Sequence, residues 1–149
     1  MKTSKMKGFT LIELIVVIAI IGVLAAILVP SMIGYVGSSK LATANSNAKL
    51  AFENTATYCT ESEVAGYSVT SNTYSVDLRQ GTAGQSYSKN GSQLASALQS
   101  LMGNATSGGE AKVTVSAAGV PTAAKWRKTS SDQYVGGYPQ ESTTKGVTF

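Results

Sequence analysis

The side chains that usually do chemistry are scarce in this chain. There is no histidine, which removes the commonest general base and the commonest metal ligand. Cys59 is the single cysteine. An intrachain disulfide is therefore excluded; an intermolecular bridge stays open beside the plainer role of a small, half-buried helix residue. Serines and threonines are plentiful, but none stands in a nucleophile-elbow pattern, and no glycine-rich phosphate loop occurs. Asp77, Asp132, Glu61 and Glu63 are scattered and compose no calcium loop. The residues thus argue for no catalytic site, no metal and no cofactor. Two places ask for an explanation. One is Glu13, a carboxylate near the start of a long apolar run. The other is Lys125-Trp126-Arg127-Lys128. That stretch is a candidate surface for nucleic acid or polysaccharide, although such a cluster is more often a solvated strand edge.

From Phe9 to Val29 the run has 21 residues, of which only Thr10 and Glu13 are polar. As a helix it spans roughly 30 Å, the thickness of a bilayer core. Lys2, Lys5 and Lys7 precede it and place the N-terminus on the cytoplasmic side. They also account for most of the net charge of +4: without residues 1–8, nine basic residues face eight acidic ones. The positive balance is therefore weak support for an acidic partner. A cleaved signal peptide would find small residues at Val23 and Ala25 for cleavage after Ala25, but an h-region usually has 7–15 apolar residues and no acid. A plain membrane anchor would let Glu13 reach back to the headgroups, favoured by the positive end of the helix dipole. Neither explains the position of the acid.

Lys7-Gly8-Phe9-Thr10-Leu11-Ile12-Glu13-Leu14, followed by an apolar stretch ending in Pro30, resembles the prepilin signature of type IV pilins and the related pseudopilins of type II secretion and competence systems. The resemblance covers roughly positions 7–30 residue for residue, and the remainder only as a general plan. It implies a basic leader (1–8) removed by a membrane peptidase after Gly8, and N-methylation of the new terminus, Phe9. The implied regions are a membrane and filament-core helix (9–30), an amphipathic continuation (31–60) and a globular head (61–149). It also implies that Glu13 faces the Phe9 amine of the same or a neighbouring subunit, in surroundings where opposite charges attract far more than in water. An unpaired acid costs about 2.5–3.5 kcal/mol at a helix centre, so Glu13 would set register more than add net stability. Leu11 and Leu14 belong to the same assembly face, which runs to Val29.

Gly22 costs about 1 kcal/mol against alanine in mid-helix, and Pro30 about 3 kcal/mol. Gly22, Ala26, Pro30 and Gly34 recur every fourth position, on one face where small residues permit close helix contact. The resemblance adds a second role, a weak stretch from Gly22 to Pro30 that loses helical hydrogen bonds in the filament.

The elements that must carry these residues are legible in outline. Leu41, Ala44, Ala48, Ala51, Phe52, Thr55 and Cys59 recur at spacings of three and four, so a kinked helix is expected from about Phe9 to about Thr60, with a second bend near Gly37-Ser38-Ser39. Tyr67–Val69 and Tyr74–Leu78 alternate as strands do, and Gln80–Gly84 reads as a loop. Ser92 would cap a brief helix carrying Leu94, Leu98 and Leu101, with Gly103 past its end. Lys112–Val115, Val120–Lys128 and Tyr134–Pro139 read as further strands, separated by turns at Gly108-Gly109 and Ala118-Gly119. The fold expected is α+β: the long helix packed on a small antiparallel sheet, with the last ten residues frayed. Seven tyrosines and Trp126 would serve a sparse core, or an adhesive surface. Asn90-Gly91-Ser92 and Asn104-Ala105-Thr106 fit the glycosylation triplet, a chance match if the leader is a prepilin one.

With the resemblance, the expected protein is a structural, non-enzymatic pilus subunit that ends on the cell surface after passing through the inner membrane. Its partners would be copies of itself, the lipid bilayer before assembly, the prepilin peptidase/methyltransferase, and an assembly platform with its ATPase. A pseudopilin is the nearest alternative. A soluble secreted binding protein cleaved near Ala25 is an alternative of another class, and a membrane-tethered sensor or enzyme a third. Many Gram-negative pilins close the C-terminal region with a disulfide, which one cysteine cannot do.

Overall fold

A computed structural model of the chain describes residues 8–79, 93–102 and 108–149. The first helix, α1, runs from Leu11 to Val64 and keeps helical assignment through Pro30. The chain divides into two compact units after Gly37. In the first unit every large apolar side chain from Phe9 to Val36 is exposed. This stretch is long and apolar enough to cross a membrane.

The second unit, Ser38–Phe149, holds the core. The helical part of this unit buries Ala44, Ala48, Ala51, Thr55, Tyr58, Cys59 and Ser62, a stripe at three- and four-residue spacing whose small members let a sheet come close. α1 ends four residues later than expected, and the end has a cause. Gly66 takes φ +86°, its amide donates to Glu63 O (3.0 Å) and the Tyr67 amide donates to Ser62 O (2.8 Å). This is a Schellman closure, with glycine in the left-handed position. It commits the Tyr67 amide to the helix end, and Tyr67–Val69 is not a strand as expected but an irregular connection that buries Val69.

The sheet is a four-stranded antiparallel meander, β1 (Asn72–Asp77), β2 (Glu110–Val115), β3 (Pro121–Arg127) and β4 (Gly136–Tyr138), in that order. Its register aligns Val76, Ala111, Trp126 and Gly136 in one cross-strand row, and Tyr74, Val113, Ala124 and Tyr138 in the next. These rows face the helix stripe; their Val76, Val113 and Ala124 belong to the same buried cluster as Ala44, Ala48 and Ala51. A bulge at Thr114/Val115 sets Val115 opposite Pro121, so Thr122 and Ala123 are both exposed and the alternation expected of β3 is broken there. α2 (Leu94–Leu101) buries Leu94, Ala97 and Leu98, and Gln99 Nε2 donates to Asp77 O at 2.7 Å to hold it against β1. Its N-cap is Gln93, which makes no side-chain cap bond. Ser92, Gly103, the Gln80–Gly84 loop and both glycosylation triplets lie outside the described residues.

The last ten residues are tied down rather than frayed. Gly146 N donates to Gln133 O (2.8 Å), Lys125 Nζ to Thr148 O (2.6 Å) and Lys112 Nζ to Phe149 O (3.1 Å). The loop after β4 is held by Asn45. Its Oδ1 accepts from the amides of Gly137 (3.0 Å) and Ser142 (3.1 Å), and its Nδ2 donates to Ser142 O (3.0 Å). One amide side chain on α1 therefore pins a region that no intrachain disulfide can close. Asn45→Ala strands two amides and a carbonyl in a part-buried place and is expected to cost about 2–4 kcal/mol. Asn45→Asp keeps the two accepted bonds but sets a carboxylate against Ser142 O, so it should fall between. Chemical denaturation of the full chain in detergent checks the order.

Candidate assembly site

The sequence places a carboxylate where a membrane-length helix begins, and the local structure gives it a partner. Thr10 is the N-cap of α1 and Glu13 the third helical residue. Glu13 Oε2 accepts from the Thr10 amide (2.8 Å) and from Thr10 Oγ1 (2.7 Å), while the Glu13 amide donates back to Thr10 Oγ1 (3.3 Å). This reciprocal arrangement is a capping box, Thr-x-x-Glu, and it satisfies amides that have no acceptor within the helix. Thr10 is the functional residue that sequence reasoning missed. The signal was available: a threonine three positions ahead of a glutamate, opening an apolar run. Among the described residues the hydrogen-bond partner of the Glu13 carboxylate is thus Thr10.

Phe9, Ile12, Glu13, Val16 and Val17 line a shallow depression of about 310 Å³ on the exposed helix. Leu11 and Leu14 are exposed. A Cβ added at Gly22 would meet nothing within 4 Å among the described residues, so their packing does not require glycine there. Pro30 has no N–H to give Ala26 O. Beside it, Ser31 Oγ donates to Leu28 O at 2.9 Å.

The basic cluster of β3 is divided by the strand period. Trp126 faces inward, is only 5% exposed and donates Nε1–H to Gly108 O at 2.7 Å. It is a core residue and offers no stacking face to a ligand. Gly109, at φ +77°, lies so close beneath the indole that an added Cβ would stand 2.7 Å from the ring. Arg127 pairs with Glu110, which Arg79 also reaches at 2.9 Å. Lys125 is bound to Thr148 O, and Lys128 is exposed. Asp77 is held below the usual carboxylate range by the Arg79 side chain and by the Arg79 amide. Among the described residues no three Asp, Glu, Cys or His side chains converge as a metal would require. Cys59 is buried, and burial, with the Glu63 charge adding to it, pushes its thiol up to about 11.

The family defined by the prokaryotic N-terminal methylation motif matches residues 3–29. The chain is 54% identical over 43 residues to the type IV major pilin protein PilA of Myxococcus xanthus, 29% of this chain and 20% of the relative. It is 60% identical over 38 residues to the fimbrial protein EcpC of Eikenella corrodens (26% and 25%). The type II secretion system core protein G of Escherichia coli is 59% identical over 32 residues (22% of each). The chain carries the N-terminal segment of the type IV pilin and pseudopilin family. The matches span about a fifth to a quarter of the relatives' lengths. No solved structure matches the chain. Gly8, Phe9, Thr10, Glu13 and Gly22 lie inside the stretch that carries the pilin and pseudopilin motif, whereas Asn45 and the β3 cluster lie beyond it.

Proposed function

We propose that the chain is the structural subunit of a type IV pilus-like filament. It enters the membrane as a precursor with residues 1–8 as leader, is cleaved between Gly8 and Phe9, is methylated on the Phe9 nitrogen, and polymerises through the face from Leu11 to Val29. The observation that carries this is the exposed apolar surface of that face, which ends in one carboxylate. Burying a large aliphatic side chain is worth about 1.5–3 kcal/mol, so such a surface requires a bilayer before assembly and neighbouring copies afterwards. Gly22 and Pro30 leave room for close approach. On assembly Glu13 exchanges its Thr10 contacts for the Phe9 amine of a subunit, which fixes the stagger. A prepilin peptidase/methyltransferase and an assembly platform with its ATPase are the partners this route needs.

The likeness to core protein G of a type II secretion system supports a second reading, a pseudopilin in a short periplasmic filament. Long fibres sheared from the cell surface favour the pilus; none, with the protein retained in the envelope, favours the pseudopilin. In either role the head's exposed surface decides whether the filament serves adhesion, motility or DNA uptake.

Intact mass and N-terminal sequence of the protein recovered from cells test the proposal. A chain beginning at methylated Phe9 is expected. A start at Ala26 would mean an ordinary secreted protein, and a start at Met1 an unprocessed anchor; either result overturns the proposal.

A further inference from the structure

Among its described residues the head unit leaves four large apolar side chains exposed, Leu50, Val64, Tyr67 and Val120. Three of them gather where α1 terminates. Val64 and Tyr67 flank the Gly66 closure, and the turn between β2 and β3 carries Val120. That turn stands against the helix end: a Cβ added at Gly119 would lie 3.6 Å from Val69 O and 3.9 Å from Glu63 Oε2. Ala117 and Ala118 at its tip are exposed as well. Val64 is 86% exposed, and a grouped apolar surface of this kind marks a contact site.

The charge of this end is one-sided. Glu61 and Glu63 occupy the last turn of α1, which holds no basic residue. Residues 54–60, 65–76 and 113–124 carry no charged side chain. Carboxylates beside the carbonyls of a helix C-terminus are unfavourable, so folding of the single subunit gives no reason for acids here.

The other end of the head, where α1 enters it, has the opposite sign. Lys40 Nζ lies 5.6 Å from the centre of the Tyr134 ring, and the Gly146 amide donates to Gln133 O, which sets Lys145 beside the same loop. Lys128 leads into that loop from β3. All three lysines are exposed. Asp132 is the acid of the loop, and its Oδ1 accepts from the Tyr134 amide. Arg79 and Arg127 are balanced by Asp77 and Glu110, while Glu141 borders, with Lys49, a groove on the flank of α1. A positive excess remains at this end. Lys40 and Glu63 are separated by about 35 Å of helix, so the two ends cannot meet within one subunit.

We propose that they meet between copies of the chain: the end of one head where α1 terminates docks on the lysine end of the next. The inference rests on the filament reading above and adds a second contact to that of the apolar helix. Glu61 and Glu63 face Lys128 and Lys145, while Val64, Tyr67 and Val120 cover Tyr134 and the methylene stems of the lysines. The two surfaces differ, so the contact is heterologous, and repeated without closing it propagates a fibre. The charges fix its direction, because like ends repel.

The yield of sheared fibres from cells making charge-reversed chains tests this contact. Glu61→Lys/Glu63→Lys reverses the acidic end, and Lys128→Glu/Lys145→Glu the basic one. Each chain alone sets like charges across the contact and is expected to lower the yield about tenfold. Both reversals in one chain restore complementarity, as does co-production of the two singly reversed chains, and either should recover most of the yield. The acidic-end reversal also puts cations at a helix C-terminus, so its denaturant melt in detergent should match or exceed that of the parent. Its lost fibres then do not report a lost fold. Parental yield from either reversed chain, or no recovery in the combined chain, overturns the inference and leaves the filament reading intact. Should the basic-end reversal lower the melt, the acidic-end reversal decides alone, and parental yield from it overturns the inference. A parent that makes no fibres overturns the pilus reading and this contact with it.

Discussion

Gly136→Ala is expected to unfold the head. A Cβ at this position overlaps the carbonyl of Ala44 and the amide of Asn45 on α1, so the clash is with helix backbone and no rotamer can relieve it. β4 would have to leave the helix. That motion also breaks the Asn45 bonds to Gly137 and Ser142 and opens the edge-on contact of Tyr138 with Phe52. Overpacking alone costs typically 1–3 kcal/mol, and the added loss of a buried network brings the expected cost to about 4 kcal/mol or more. A denaturant melt of the full chain in detergent measures it. Because the overlap is with main-chain atoms, trimming the neighbour with Ala44→Gly should not rescue the variant. A melt close to that of the parent, or rescue by the second substitution, would show that β4 approaches the helix less closely than described.

The second large effect concerns Glu13. Glu13→Val is expected to leave the subunit in the membrane and abolish the filament. The substitution removes the acceptor of the capping box, a loss of about 1 kcal/mol that the long helix can absorb. On the proposed assembly the greater loss is between subunits, where the Phe9 amine would no longer meet a counter-charge. At about 3 kcal/mol for an unpaired charge in apolar surroundings, each addition step weakens by more than about a hundredfold. Glu13→Gln, which keeps hydrogen-bonding capacity without charge, should leave a small residue of fibres. Thr10→Val separates the two roles: it removes one Glu13 contact and half of the cap but leaves the charge pair, so filament yield should fall only modestly. Sheared-fibre yield against membrane-fraction content reads all three. Normal fibres from Glu13→Val would remove the register role altogether.

The cap illustrates how a local motif can be hidden by a stronger signal. Thr10 and Glu13 are three residues apart, and the hydrogen bonds between them need nothing from the rest of the chain. They are legible in the sequence as Thr-x-x-Glu, but the cost of an acid in an apolar run is the stronger signal and points to distant partners. Tyr67–Val69 failed in the opposite way. Its alternation is that of a strand, but the helix end claims the Tyr67 amide through Gly66.

By itself the sequence determined the character of the N-terminal segment. Composition, length and spacing sufficed there because its large apolar side chains from Phe9 to Val36 are exposed rather than packed in a core. It likewise determined the helix stripe and most strand positions, since period and turn glycines are local properties. Only the tertiary structure decided what the polar and aromatic residues of the head do. Trp126 stands in a basic cluster along the chain but faces the core, because one residue of strand reverses the direction of a side chain. Asn45 looks like any polar residue of a helix until a loop 92 to 97 positions away presents its backbone. Lys112 and Lys125 become a pair only through β2–β3 register. Contacts across such separations depend on how the elements pack, which no local pattern encodes.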